Sequence, residues 1–176
     1  AAAVAAARGL RPDREAGRPE GLYGNRFAVA KAEVVRAATR PIRPPTRTHL
    51  IAMAAPSGGR GCYDEPTIRG VLTTAFTAFR AARLRSERAR MAIHTGFWGC
   101  GAFGGNRVLM PMLQLLAARL AEVDFLVFHA VGAAGVADFE NAVRELARLA
   151  RDGIELRELI QAVEARRFAW GVSDGN

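Results

Sequence analysis

The chain has 176 residues, half of them apolar, which is enough for one domain with a proper hydrophobic core. Its net charge of +8 is uneven, with 17 basic and 7 acidic side chains in residues 1–90 against 8 and 10 in residues 91–176. Two cysteines exclude a disulfide framework, and no apolar run reaches the length of a membrane span.

Residues 1–24 are low in aromatics and carry Gly, Pro and Arg without a hydrophobic signal core, so a disordered arm is expected there. From Asn25 the text NRFAVAKAEVVRAATR places Phe27, Ala30, Val34 and Ala37/Ala38 on one helical stripe, and Pro41, Pro44 and Pro45 stop it. THLIAMAAP then reads as a buried strand closed by Pro56, Ser57, Gly58 and Gly59. A second helix starts about Pro66, with Asp64 or Glu65 favourable to its dipole, and its buried face is Ile68, Leu72, Phe76 and Phe79.

MAIHTG is the second predicted strand, and it runs into GFWGCGAFGGN, residues 96–106, with five glycines, three large aromatics and a cysteine. A third helix, from 107 to about 121, is apolar at almost every position and should be covered on most sides. VDFLVFHAV lacks alternation, as a central parallel strand would. An amphipathic helix over about 136–150 and a helical tail from Glu155 complete the chain. The ordered domain is expected over 25–152 and the tail over 153–176. Helices alternating with strands imply an α/β fold, a parallel sheet with helices on both faces. Three strands make a small sheet, so part of the domain is expected to lie outside the chain on the N-terminal side.

Almost all the basic residues are arginine, with Lys31 the only lysine. Arginine forks suit phosphates, so nucleic acid is a candidate partner only through the basic N-terminal half. No predicted element gathers the arginines on one face, and biased base composition accounts for the same counts. Cys62 and Cys100 lack metal-ligand spacing, and a reducing, intracellular compartment is expected, cytoplasm and nucleus not being distinguished.

Glycine-rich turns between a strand's carboxyl end and a helix start are where α/β proteins hold anions, because their backbone N–H groups can face a phosphate. Gly99-Cys100-Gly101-Ala102-Phe103-Gly104 satisfies G-x-G-x-x-G, which leaves an NAD- or FAD-binding Rossmann-type domain as an alternative. The context argues against it. A strand and two helices precede the motif, and the ribose-binding acid expected about twenty residues on is missing, Asp124 standing at the next strand's start and His129 nearer its end.

The longer string TGFWGCGAFGGN, residues 95–106, resembles the diphosphate-binding loop of the poly(ADP-ribose) glycohydrolase family, and LIAMAAPSGG, RMAIHTG and VDFLVFHAV are similar to its flanking segments in microbial members. The resemblance covers about residues 25–135. It implies the carboxyl-side portion of a macrodomain-like three-layer α/β sandwich, with a largely parallel or mixed sheet and no metal or organic cofactor. It implies an ADP-ribose or poly(ADP-ribose) site at Gly99, Cys100, Gly101, Ala102, Phe103 and Gly104, with Phe103 packing on the ligand. Asn106 stands where many relatives have Asp. The family's catalytic signature, a triple glycine followed by a Gln-Glu-Glu segment whose glutamate is the general acid, is not in this sequence, where the glutamines are Gln114 and Gln161. No catalytic residue is therefore assigned. The expected activity is hydrolysis of ADP-ribose O-glycosidic bonds if an upstream segment supplies that acid; a non-catalytic ADP-ribose reader is the alternative.

Other residues have plainer readings. Asp64-Glu65, the only adjacent acidic pair, suits a helix start; Cys100 is a candidate nucleophile with His94 as base. His49, His94 and His129 fall on predicted strands without acidic companions, so no metal site is expected. Phe97 and Trp98 are expected to pin the loop by packing.

Overall fold

A computed structural model describes residues 30–38, 43–45, 49–56, 58–87, 90–130 and 132–173. Along them run α1 (Ala32–Ala38), α2 (Glu65–Arg85), β1 (Ala92–Thr95), α3 (Leu109–Leu120), β2 (Phe125–Phe128), α4 (Gly132–Leu149) and α5 (Leu156–Ala165). The chain divides into two compact units, one of residues up to Leu50 and one of Ile51–Gly175. The first holds α1, where Val34, expected on a buried stripe, is 37% exposed. A seven-residue helix has little apolar face to bury, and periodicity alone supplies it no partner. Phe27 and the expected arm of residues 1–24 lie outside the described residues.

In the second unit, α2 begins where the sequence offers a cap. The Asp64 carboxylate accepts the Thr67 N–H at 3.0 Å, and hydrogen bonds from the Thr67 side chain and backbone hold that carboxyl below its ordinary range. The buried face of α2 is Ile68, Val71, Leu72, Ala75 and Phe79, while Phe76 is only partly buried at its edge. Helix α3 buries nine of its twelve residues and packs between α2 and α4, so it is the central post of the core, as its apolar sequence predicts. Each fully buried Leu, Ile or Met contributes about 1.5–3 kcal/mol. Helix α5 closes the far side against α2 and α4 with Leu159, Ile160 and Val163.

The sheet pairs β1 with β2 in parallel, Ala92 opposite Phe125 through Thr95 opposite Phe128, with α3 as the crossover. This parallel β1–α3–β2 unit with its flanking helices is the expected α/β architecture. Two details differ from expectation. Residues 51–56 form no strand, and Ile51 is 38% exposed. An apolar run becomes a strand only against a partner, and here the Met53 carbonyl accepts the Trp98 indole N–H at 3.3 Å instead of a ladder bond. Strand β2 also alternates in burial, although its sequence does not. Ile93 is buried and Leu126 packs on the core, whereas Ala92, His94, Phe125 and Val127 share the opposite, exposed face.

Candidate functional site

The glycine-rich segment leaves the carboxyl end of β1 and is held there from below. Gln114 of α3 is fully buried; its Oε1 accepts the Thr95 hydroxyl at 2.5 Å and its Nε2 donates to the Gly96 carbonyl at 3.1 Å. The loop then folds on itself, with N–H groups of Trp98, Cys100, Gly104 and Gly105 donating to the carbonyls of Gly96, Phe97, Gly101 and Gly99 at 2.8–3.1 Å. The last two of these turns require glycine. Gly104 has φ +62 and an added Cβ would stand 2.9 Å from the Gly171 carbonyl, and at Gly105 it would stand 2.7 Å from the Gly99 carbonyl.

Asn106 ends the loop as a four-way junction. Its side-chain oxygen accepts the N–H groups of Val108 and Leu109, each at 2.9 Å, and so caps α3. Its amide Nδ2 donates to the Ala169 carbonyl at 2.8 Å, and its backbone N–H donates to the Tyr63 hydroxyl at 3.1 Å. An aspartate could keep the cap but could not donate to Ala169.

The aromatics divide by role. Phe97 meets Phe128 edge-on at 5.0 Å and lies beneath the Arg107 guanidinium at 3.9 Å, while Arg107 donates to Asp138 of α4 at 2.6 Å. Trp98 packs on the core and bonds Met53, so both aromatics pin the loop, as expected. Phe103 is 45% exposed at the loop's tip. Beside the loop, a cavity of about 260 Å³ is lined by Ala55, Pro56, Thr67, Val71, Thr74 and Trp98.

Four backbone N–H groups of the loop, those of Gly99, Gly101, Ala102 and Phe103, have no acceptor among the described residues. Three are consecutive, from Gly101 to Phe103, and successive free N–H groups in a glycine-rich turn suit an anion. The neighbouring Cys100 and Gly104 N–H groups are spent inside the loop, and Gly104 is buried.

Cys100 is no nucleophile. Burial pushes its thiol up to about 12, a larger effect than the Arg107 charge that opposes it, and its sulfur donates to the carbonyls of Trp98 and Asn106 at 3.6 Å. His94, the base it would need, pairs instead with His129, ring nitrogens 2.9 Å apart on the exposed sheet face. His49 belongs to the first unit. Among the described residues no three His, Cys, Asp or Glu side chains gather closely enough to hold a metal ion. Asp64 and Glu65 serve the start of α2, where the Glu65 N–H donates to Glu164 at 3.0 Å. Among the described residues no helix is long and apolar enough to cross a membrane.

Sequence reasoning missed two supports of the loop, Gln114 and residues 168–173. Gln114 lies midway along an apolar helix, where a lone buried amide is itself the signal. The Gly171 N–H donates to the Gly104 carbonyl at 2.8 Å and the Ser173 hydroxyl to the Ala102 carbonyl at 2.7 Å, contacts that no local pattern announces.

A parallel β–loop–α unit whose glycine-rich turn presents unpaired N–H groups defines an α/β protein with an anion-facing turn at the carboxyl end of a strand. Residues 20–138 match the family described as Poly (ADP-ribose) glycohydrolase (PARG), Macro domain fold, and the chain belongs to that family. Over 61 residues it is 31% identical to the "Probable poly(ADP-ribose) glycohydrolase 2" of Arabidopsis thaliana, a stretch that covers 35% of this chain and 12% of the plant protein. No solved structure matches the chain.

Proposed function

We propose that the chain binds ADP-ribose units of poly(ADP-ribose) through residues 99–104, and that it forms the ligand-holding part of a glycohydrolase active site. The observation that carries this reading is the set of unpaired N–H groups at Gly99, Gly101, Ala102 and Phe103, between the carboxyl end of β1 and the start of α3. Diphosphate oxygens are the acceptors such donors fit, and the positive end of α3 adds a favourable field. Phe103, exposed at the tip, covers a ribose face, while Cys100 and Gly104 shape the loop from within.

Cleavage of a ribose–ribose O-glycosidic bond needs a carboxylic acid to protonate the departing oxygen. The triple-glycine and Gln-Glu-Glu segment that would supply it is not among these 176 residues, so no bond-breaking step is assigned to them. This chain holds and orients the ligand; with the acid in the same polypeptide the assembly is a glycosidase, and without it a reader of ADP-ribose.

Calorimetric titration with ADP-ribose tests the reading. Binding by the chain, weakened about tenfold in Phe103→Ala, is expected from the loss of one aromatic contact. Absence of heat at millimolar ADP-ribose, or tighter binding of NAD than of ADP-ribose, would overturn it.

A further inference from the structure

Residues 168–173 follow α5 and lie beyond the stretch that matches the family, which ends at 138. They first pair with the turn before α2. The Tyr63 N–H donates to the Phe168 carbonyl and the Trp170 N–H to the Gly61 carbonyl, each at 2.9 Å, forming an antiparallel bridge between Cys62 and Ala169. Trp170 stacks on Tyr63 with ring centroids 4.0 Å apart, against Gly59, where an added Cβ would stand 2.3 Å from the indole. The segment then reaches the glycine-rich loop, where Gly171 N–H meets the Gly104 carbonyl and the Ser173 hydroxyl meets the Ala102 carbonyl.

These contacts set the direction of the loop's donors. In a trans peptide the carbonyl of one residue and the N–H of the next lie in the peptide plane and point in opposite directions across the C–N bond. Ser173 draws the Ala102 carbonyl toward the strap, and so turns the Phe103 N–H away from it. By the same rule, the bond from Gly104 N–H to the Gly101 carbonyl turns the Ala102 N–H away from Gly104.

We propose that Ser173, carried by the strap of residues 168–173, is a positioning residue of the anion-binding loop, aiming the Phe103 N–H at the ligand through the Ala102 carbonyl. The proposal rests on the ADP-ribose reading of the same loop. It extends the site to the far end of the chain, with Trp170 on Tyr63 as the anchor that brings Ser173 into place.

The test uses the whole chain with Ser173→Ala and Ser173→Thr, followed by amide NMR and by calorimetry with ADP-ribose. Loss of one exposed hydrogen bond predicts binding about 3- to 10-fold weaker in Ser173→Ala, with a melting temperature lowered by no more than a few degrees. In the ligand-free protein the Phe103 amide resonance shifts and its hydrogen exchange quickens; Ser173→Thr restores both and the affinity. An unchanged Phe103 amide in Ser173→Ala, or no recovery in Ser173→Thr, would overturn the proposal. The two readings separate cleanly. If the unaltered chain binds no ADP-ribose, the ligand assignment fails, and the ligand-free Phe103 amide still decides whether Ser173 positions it.

Discussion

The Gln114 side chain, fully buried on α3, accepts the Thr95 hydroxyl at 2.5 Å and ties the last residue of β1 to the central helix. The same amide donates to the carbonyls of Gly96 and Met110 at 3.1 and 3.4 Å. Gln114→Leu keeps the volume but strands the Thr95 hydroxyl and leaves the Gly96 carbonyl only the Trp98 N–H. A loss of about 2–3 kcal/mol is expected, read as a lower urea midpoint with unchanged slope. A change below about 0.5 kcal/mol, the scale of an ordinary surface substitution, would show that the tie does not support the loop.

Asn106 separates capping from loop anchoring. Asn106→Asp keeps the acceptor for Val108 and Leu109 and loses the donor to Ala169, so it costs about 1 kcal/mol. Asn106→Ala loses both and costs about 2 kcal/mol. Equal losses in the two variants, by thermal or urea unfolding, would contradict this division.

The glycine-rich loop is legible in the sequence because its signals are local. Glycine density, the strand before it and the apolar helix after it each occupy neighbouring residues, and so do the packing aromatics Phe97 and Trp98. The contacts that hold it from outside are not local. Trp170 stacks on Tyr63 and Ser173 meets Ala102 at separations of 107 and 71 in residue number, through a ring face and a backbone carbonyl that carry no periodicity. Residues 51–56 mislead for a related reason, since apolar content records burial potential while a strand depends on a partner. The exposed face of β2 is equally invisible, because Phe125 and Val127 are as apolar as the residues that point inward.

Cys100 and Tyr63 predict an alkaline limit to stability. Burial chiefly pushes the Cys100 thiol from 9.0 and the Tyr63 phenol from 10.0 to about 12 each. Both groups hold their protons longer in the folded chain than in the unfolded one. Between about pH 9 and 12 the folded state therefore binds more protons, and stability falls as pH rises. The urea midpoint should be flat from pH 7 to 9 in this respect and decline above it. In a Cys62→Ser background, Cys100 should resist iodoacetamide at pH 8 until the chain unfolds; rapid native alkylation would contradict its burial.

Two glycine substitutions should move stability in opposite directions. Gly70 lies within α2 with nothing within 4 Å of an added Cβ, so Gly70→Ala stabilises by about 0.5–1 kcal/mol. Gly105→Ala places Cβ 2.7 Å from the Gly99 carbonyl and costs about 1–3 kcal/mol, opening the loop. Thermal unfolding of the pair checks both signs.

In the proposed site the loop's unpaired backbone donors hold the diphosphate. Amide NMR of the chain titrated with ADP-ribose tests it most directly. The largest downfield shifts should fall on the N–H groups of Gly99, Gly101, Ala102 and Phe103, while those of Cys100 and Gly104, already bonded within the loop, move little. Saturable binding that leaves these four amides unmoved would contradict it.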